Sequence, residues 1–537
     1  MSHKKKYAAP KPKNAAERTN QVPQQQSAKG VEKKPTNYLK IVFFLIFLVF
    51  CTFFYGDVFV RAQQEAFVCP DSSAMNVMLR STFGHLAWAG RYMLVVYKSV
   101  WVGGLVMALL LMVISCLVER VFKLKGQWRG LSFAPSLLIL FCFVYRGLNI
   151  FYQSEPAWIM LIPVLTMLVL LLLRLVQIVF DKKKEAAANE GAAASALPLT
   201  KQWGTLASLA LSVGLYLFAW FYQQNAIIAS QQQLAYQEQD WDTLMEKAMS
   251  ARRPTRIIAA YNAIGALRTD QLIEQMFAIP YDYPNPHLRS GKISEEYPLL
   301  QADCDLETGL VQVAYHYSLE YIVLSGPSTY NLKNLAICSI LQGDKELAKK
   351  YLTILSKVPF EGRFVERYSA MLENPKLIDE DAHLAAIKQL TPRENKFEQQ
   401  YRQPAFLGYN LGLNSAPDNA IYTTVAACLY SKDLLQLVPR LGIMKQKGIQ
   451  FSSIILQAIC CMSIKNPDIL KQFPEAQMEM NNFQQFLTES KPYVKDKDQL
   501  RKVLKEDWLG TYYYYYYAEN NSPEQTGGDS KSSSGVN

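Results

Sequence analysis

The feature that most constrains this chain is a series of long apolar runs in its first half. Each run approaches the roughly 20 residues that a helix needs to cross a hydrocarbon layer about 30 Å thick. The runs cover residues 38–55, 100–118, 131–145, 158–180 and 203–222. The first is longer than a signal-peptide core, and no small-residue cleavage site stands before Gly56. We therefore expect about five retained transmembrane helices.

The loops between these runs predict the orientation of the chain. Basic residues are dense before the first run and in the segments 120–129 and 182–201, but absent from 149–158. By the positive-inside bias, the basic segments lie in the cytoplasm, and five crossings leave the C-terminal half outside. The first outer segment is an exception, because it carries Arg61, Arg80, Arg91 and Lys98. No nucleic-acid motif follows the basic arm, so we expect a lipid partner and no nucleic acid.

Composition divides the chain into unlike parts. Half of its residues are apolar, yet the mean hydropathy is −0.02, because a polar half offsets the apolar half. We expect a basic disordered cytoplasmic arm at 1–37 and a transmembrane domain at 38–225. A soluble helical domain follows at 226–518, and a disordered tail rich in Ser, Gly and Asn at 519–537.

The segment 74–96 lies between the first two runs and has apolar residues at helical spacing. Arginine and histidine are interspersed among them, and tryptophan and tyrosine stand towards its end. This pattern is typical of an amphipathic helix on the outer leaflet. The alternative is a kinked lead-in to the second span.

The segment 335–359 resembles a tetratricopeptide repeat, in which two antiparallel helices pack through small residues around a short turn. The matching positions, which we expect to carry the packing, are Ala336, Gly343, Ala348, Leu352, Leu355 and Pro359. Ser339 departs from the pattern, where a tyrosine is usual. Weaker helix pairs occur at 256–280, 420–439 and 451–474. We therefore predict an all-α chain in which about five transmembrane helices precede a tetratricopeptide-like helical solenoid; an irregular helical domain is the alternative.

The segments AAYNAIGALRTDQLIEQMF and LAICSILQGDKELAKKYLTIL, with the aromatic ending WLGTYYYYYYAEN, are similar to an uncharacterised family of Bacteroidota membrane proteins. The resemblance covers about residues 38–518 and supplies no reaction. It implies a multi-pass protein of the bacterial inner membrane with a periplasmic helical domain.

The sequence contains no motif that identifies an enzyme. Its five histidines are scattered, and it has no HExxH, P-loop, GxGxxG or GxSxG motif. We expect no catalytic residue, metal or cofactor. The nine cysteines form no zinc-type pair, although Cys69 and Cys304 could be joined by a disulfide in an oxidising compartment.

The segment 277–297 is a long aromatic and proline-rich loop within a helical array, and binding often occurs in such loops. We expect a pocket there lined by four residues: Tyr281, Tyr283, His287 and Arg289. The alternative is a spacer that redirects the helices.

Two functions remain open on this evidence. The favoured one is a non-enzymatic membrane-anchored scaffold, whose helical repeats bind a protein or peptide partner in the periplasm. The alternative is an envelope-glycan enzyme or assembly factor of the glycosyltransferase or polymerase type. Such an enzyme would need acidic residues of the first outer segment, where Asp57, Glu65 and Asp71 lie, and nearby basic residues such as Arg91 and Arg146. The sequence leaves the partner and the oligomeric state open.

Overall fold

The computed structural model describes residues 36–70, 76, 79–80, 83–146, 155–181, 202–281, 297–392 and 418–519. The first helices are α1 (Thr36–Val49), α2 (Gly56–Glu65), α3 (Gly84–Leu94), α4 (Val100–Val121), α5 (Ala134–Arg146), α6 (Trp158–Asp181) and α7 (Trp203–Glu238). The next are α8 (Trp241–Met249), α9 (Arg256–Arg268), α10 (Leu272–Gln275), α11 (Tyr297–Glu307), α12 (Val311–Ser325), α13 (Thr329–Gln342), α14 (Lys345–Ser356), α15 (Gly362–Glu373), α16 (Lys376–Glu380) and α17 (Ala382–Leu390). The last are α18 (Ile421–Ser431), α19 (Leu434–Gln446), α20 (Ser453–Ser463), α21 (Ile469–Gln472), α22 (Met480–Ser490), α23 (Lys497–Trp508) and α24 (Tyr512–Ala518). No strand occurs in these ranges, which confirms the all-α prediction.

The apolar helices agree with the predicted number of spans. Four helical stretches are long and apolar enough to cross a membrane: Val100–Val121, Gly126–Arg146, Trp158–Phe180 and Trp203–Glu238. The bent pair Tyr38–Phe54 and Gly56–Glu65 makes a fifth if it counts as one span. Only 28% of the apolar window in α6 is buried by protein. This outward apolar surface is compatible with a multi-pass membrane protein.

The first apolar run is not one straight helix. α1 passes into a π-helical turn at Phe50–Phe54, and α2 leaves it at an angle of 60°. At the bend Tyr55 has φ −121° and ψ 5°, and its N–H donates to the carbonyl oxygen of Phe50 at 2.8 Å. Gly56 permits the close approach of α4, since a Cβ there would lie 2.6 Å from the Val100 side chain. The bend directs α2 against α7 and α13.

Of the helix predicted at 74–96, the structure describes α3 from Gly84 to Leu94, and most of the residues from 74 to 83 lie outside the described ranges. α3 packs closely on α6, because a Cβ at Gly90 would lie 2.6 Å from Leu161. The Arg91 guanidinium forms a bidentate ion pair with the Glu155 carboxylate just before α6. Trp88 packs against the helices that follow α11. α3 is thus held by protein contacts on two sides.

The helices from α8 onward form a helical domain with two apolar cores. The first core joins the end of α7 and helices α8–α10 to helices α18–α24. The second joins helices α11–α17 and includes Phe67 and Cys69, which directly follow α2. The helical domain is therefore packed onto the preceding helices at two points, through α2 and through α7.

The helix pair predicted at 335–359 is present as α13 and α14. Gly343 ends α13 in the left-handed conformation with φ +78°, and the Asp344 side chain accepts a hydrogen bond from the Leu347 N–H at 3.1 Å to begin α14. Ala336 and Ala348 are fully buried where the two helices meet. Leu352 and Leu355 are buried in the same core, and Pro359 follows the end of α14. The helix pair is confirmed.

The six tyrosines of α24 are mostly core residues. Tyr512 to Tyr515 are buried, and the hydroxyls of Tyr512 and Tyr515 donate to backbone oxygens of Leu429 and Tyr430 at the end of α18. Because buried phenols need such partners, the run closes the first core and fixes the last helix on α18.

One close backbone contact joins α7 to the turn that precedes α5. A Cβ at Gly130 would lie 2.4 Å from the backbone nitrogen and Cα of Thr205. We expect Gly130→Ala to lower the free energy of unfolding by about 1–3 kcal/mol, because backbone atoms must move. The matched control is Gly214→Ala, since nothing lies within 4 Å of a Cβ there. Thermal unfolding midpoints of the full chain in detergent test this, and equal midpoints would contradict it.

Candidate functional site

Six charged or titratable side chains lie in the protein interior where α2 and α7 meet the helical domain. We call this set the buried polar junction: Arg61, Glu65, Arg268, Asp303, Glu307 and His383. Asp303 and Glu307 are one turn apart on α11 and share one face of that helix. A buried charge is costly unless it is paired and hydrogen-bonded, so each member requires partners.

Glu307 has the most complete set of partners. Its Oε2 accepts from Arg268 Nε at 2.5 Å, and its Oε1 accepts from the Tyr236 hydroxyl at 2.7 Å and lies 2.8 Å from His383 Nε2. Gln239 lies 3.2 Å from the other ring nitrogen of His383. Burial alone would raise the pKa of Glu307, but the charges of Arg268 and His383 outweigh it and lower the pKa to about 2. Glu307 is therefore a carboxylate at neutral pH and ties α11 to α7, α9 and α17.

Asp303 is held by three neutral donors. The hydroxyls of Tyr330 and Tyr261 donate to its Oδ2 at 2.5 and 2.8 Å, and the Asn334 amide donates to its Oδ1 at 3.0 Å. Burial raises the pKa of Asp303 to about 6, although these hydrogen bonds oppose the shift. The nearby charge of Glu307 adds to the rise. Asp303 consequently titrates close to the physiological range.

Glu65 brings α2, which follows the first apolar run at the bend, into the junction. The hydroxyl of Tyr321 on α12 donates to its Oε2 at 3.2 Å. Arg61, one turn earlier on α2, and Asp303 both lie close enough to act electrostatically on this carboxylate. α2 is thus bound to α12 through a polar contact as well as through the core.

A cavity of about 560 Å³ opens beside the junction, between α9–α10 and α17–α18. We call it the interhelical cleft; its lining is Leu267, Arg268, Asp270, Leu272, Ile273, Glu274, Ala386, Gln389, Leu390, Asn419 and Tyr422. Arg268 belongs to both features, because its guanidinium also binds Glu307.

The interhelical cleft combines an apolar wall with an acidic rim. Leu272, Ile273 and Leu390 are buried, whereas the carboxylates of Asp270 and Glu274 are exposed. The volume falls within the range of 300–1,000 Å³ that is typical of ligand sites. The arrangement can accept apolar groups together with a positive charge.

The structure describes one of the four residues predicted to form a pocket. Tyr281 is fully buried in the first core, where its ring packs on Tyr430 and its hydroxyl donates to the carbonyl oxygen of Met276. It does not line the interhelical cleft. Outside the described ranges lie Tyr283, His287 and Arg289, as well as Asp71. A pocket formed by the 277–297 loop stays a prediction.

Three of the residues proposed for chemistry at the membrane have separate partners. Asp57 accepts a hydrogen bond from a glutamine of α7 at 3.2 Å, Glu65 faces the junction, and Arg91 pairs with Glu155. Arg146 is exposed at the end of α5. The described residues also contain no group of three His, Cys, Asp or Glu side chains that could hold a metal ion.

The two cysteines considered for a disulfide are separate. Cys69 and Cys304 are both free thiols and fully buried, Cys69 in the second core and Cys304 in the first. No disulfide therefore links α11 to the segment after α2 in this structure.

A family model matches the chain over residues 33–154 and 144–519 and is described as a family of unknown function, DUF6057. The chain belongs to this family. The match confirms the resemblance to an uncharacterised family. No curated protein and no solved structure matches the chain.

The functional geometry of this DUF6057 protein was only partly visible in its sequence. The motif DCDLE places Asp303 and Glu307 at i and i+4, the spacing of one buried helix face, and that was the available signal. Their partners Arg268 and His383 lie 39 and 76 residues from Glu307, so no local pattern joins them.

Removing the Glu307 charge should lower the stability of this DUF6057 protein. Glu307→Gln leaves the guanidinium of Arg268, which is almost fully buried, without its carboxylate, and we expect a loss of about 3–5 kcal/mol in the free energy of unfolding. Glu479→Gln serves as a control, because its carboxylate has hydrogen-bond partners near the surface. Denaturant titration of the full chain in detergent measures both. A change below about 1 kcal/mol would contradict the structural role of Glu307.

Asp303 should make stability depend on pH. Its pKa is raised in the folded state, so the protonated form stabilises the fold, and this stability is lost as pH rises from about 4 through about 6. The pKa of Glu307 is lowered in the folded state, so its contribution to stability is lost in the opposite direction, as pH falls from about 4.5 towards about 2. We expect Asp303→Asn to flatten the dependence of the unfolding midpoint between pH 4 and 7. The variant keeps the hydrogen bonds if the Asn334 amide rotates. An unchanged slope would contradict the assignment.

Proposed function

We propose that this protein is a membrane-anchored scaffold, whose helical domain binds a peptide or protein partner in the interhelical cleft. The observation that carries the proposal is the cleft itself, which has a ligand-sized volume and is formed by helices of both parts of the domain. The buried polar junction supports it, because it fixes the domain on α2 and α7. A binding surface held in this way keeps a constant orientation relative to the apolar helices.

The proposed setting is the bacterial inner membrane, with the N-terminus in the cytoplasm and the helical domain in the periplasm. It is supported by the basic segments before the first run and between the second and third runs. The tetratricopeptide-like character of the α13–α14 pair supports a role in protein recognition, since such repeats bind peptides along a groove.

The lining of the cleft defines the chemistry of the partner. Asp270 and Glu274 at the rim favour a basic residue, and Leu272, Ile273 and Tyr422 favour an aliphatic neighbour. A glycan enzyme at the membrane face is less well supported, because Asp57, Glu65 and Arg91 have separate partners.

The test begins with a photo-crosslinking residue at position 422 in the full chain in cells, with position 506 on α23 as the control site. The crosslinked peptide is mapped, synthesised and titrated against the purified protein. We expect a basic, aliphatic segment that crosslinks at 422 and not at 506. If only lipid-linked sugar is captured, the scaffold proposal is wrong and the enzyme hypothesis is favoured.

Neutralising the rim should weaken this binding about tenfold, since each exposed charge contributes about 0.5–1 kcal/mol. The variant is Asp270→Asn with Glu274→Gln. The matched control, Glu506→Gln with Asp507→Asn, removes two exposed carboxylates of α23. Fluorescence anisotropy with the mapped peptide measures the dissociation constants. Equal affinities of the two variants would contradict an acidic recognition rim.

A further inference from the structure

The apolar helices α1 and α4–α7 share one core, and we call them the apolar bundle. A cluster of exposed aromatic and basic residues surrounds α7 where it leaves this bundle. We call it the arginine–aromatic patch: Tyr145, Arg146, Phe221, Tyr222, Met249, Arg252 and Arg253. Its large apolar side chains are exposed, with Phe221 at 63% and Met249 at 58%. None of these residues lines the interhelical cleft or belongs to the buried polar junction.

Ring contacts show that the patch lies at one level of the apolar bundle. Phe141 of α5 stacks on Phe218 of α7 at 4.5 Å, and Tyr145 stacks on Tyr222 one turn later at 6.4 Å. α5 and α7 therefore run parallel, and both reach the end of their apolar stretch at the same height. Tyrosines in this position are typical of a membrane–water interface, where a ring has an apolar body and a polar tip.

The segment after α8 adds two arginines at this height. The Arg252 guanidinium lies 5.2 Å from the centre of the Phe221 ring, and Asn225 of α7 donates to the carbonyl oxygen of Arg253 at 3.0 Å. The fold of α8 back along α7 thus brings both arginines to the level of the exposed tyrosines.

Among the residues that the structure describes, the charge of the patch is not balanced by carboxylates. No carboxylate in the described ranges forms an ion pair with Arg146, Arg252 or Arg253. In the proposed orientation these arginines also lie on the outer side, where the positive-inside bias disfavours them. The Arg252 guanidinium beside the exposed Phe221 ring, with exposed Arg146 and Arg253 at the same level, fits an anionic headgroup joined to acyl chains.

We propose that the arginine–aromatic patch binds the headgroup of an anionic phospholipid, with the arginines on the phosphate and the rings against the acyl chains. The inference rests on the membrane placement in the proposed function, but it does not depend on the cleft. Lipid binding there holds α8 and the start of the helical domain at the bilayer surface. The lipid is distinguished from a soluble phosphate ester by its acyl chains.

The test uses the full chain in neutral detergent, titrated with phosphatidylglycerol or phosphatidylcholine and observed by native mass spectrometry. We expect tighter binding of phosphatidylglycerol. Arg252→Gln with Arg253→Gln should raise its dissociation constant about 25-fold, at about fivefold per arginine. The matched control is Lys349→Gln with Lys350→Gln, which removes two exposed charges of α14. Binding of the cleft peptide should be unchanged in both variants.

Three results would overturn the proposal. They are equal affinity of the wild type for the two lipids, equal effects of the arginine and lysine variants, and displacement of phosphatidylglycerol by millimolar glycerol phosphate. The last result would assign the patch to a soluble anion. Loss of peptide binding with intact lipid binding would count against the cleft alone, so the two proposals can fail separately.

Discussion

The ion pair between Arg268 and Glu307 is the contact on which the arrangement of the helical domain depends. Through Glu307, α11 is bound to α9, to α17 and to the C-terminal end of α7. Both charges are buried, so neither can be satisfied by water if the other is removed. The position of α9 relative to α17 also defines the width of the interhelical cleft. One ionic contact thus determines both the assembly of the domain and the shape of its proposed binding site.

The bend in the first apolar run has a complementary role. A straight helix would carry residues 56–65 away from the protein, whereas the π-helical turn directs them along α7 and into the polar interior. Arg61 and Glu65 are suited to that interior and not to hydrocarbon. The helical domain is therefore attached through two non-consecutive segments, which restricts its rotation more than a single connecting helix would. Such restriction suits a scaffold that presents a partner.

The sequence predicted the elements whose signal is local. Runs of apolar residues identified the long helices, and Ala336, Gly343 and Ala348 identified one helix pair, because each pattern lies within a few turns. The bend at Tyr55 was missed, since the apolar run ends there and Gly56 and Asp57, which follow it, gave no signal of a second helix. The cleft was also missed, because its walls come from segments more than 100 residues apart, including Arg268 and Asn419. Tyr281 was predicted to line a pocket, but its ring is buried in the first core.

α7 is a helix of 36 residues, about 54 Å long, which passes from the apolar bundle into the helical domain with one non-helical residue at Gln223. An apolar stretch that is longer than the local hydrocarbon thickness tilts to fit it. Because α7 is also part of the first core, a change in its tilt would carry the whole domain with it. In the proposed membrane placement, the direction in which the cleft points would accordingly follow the tilt that bilayer thickness imposes on α7.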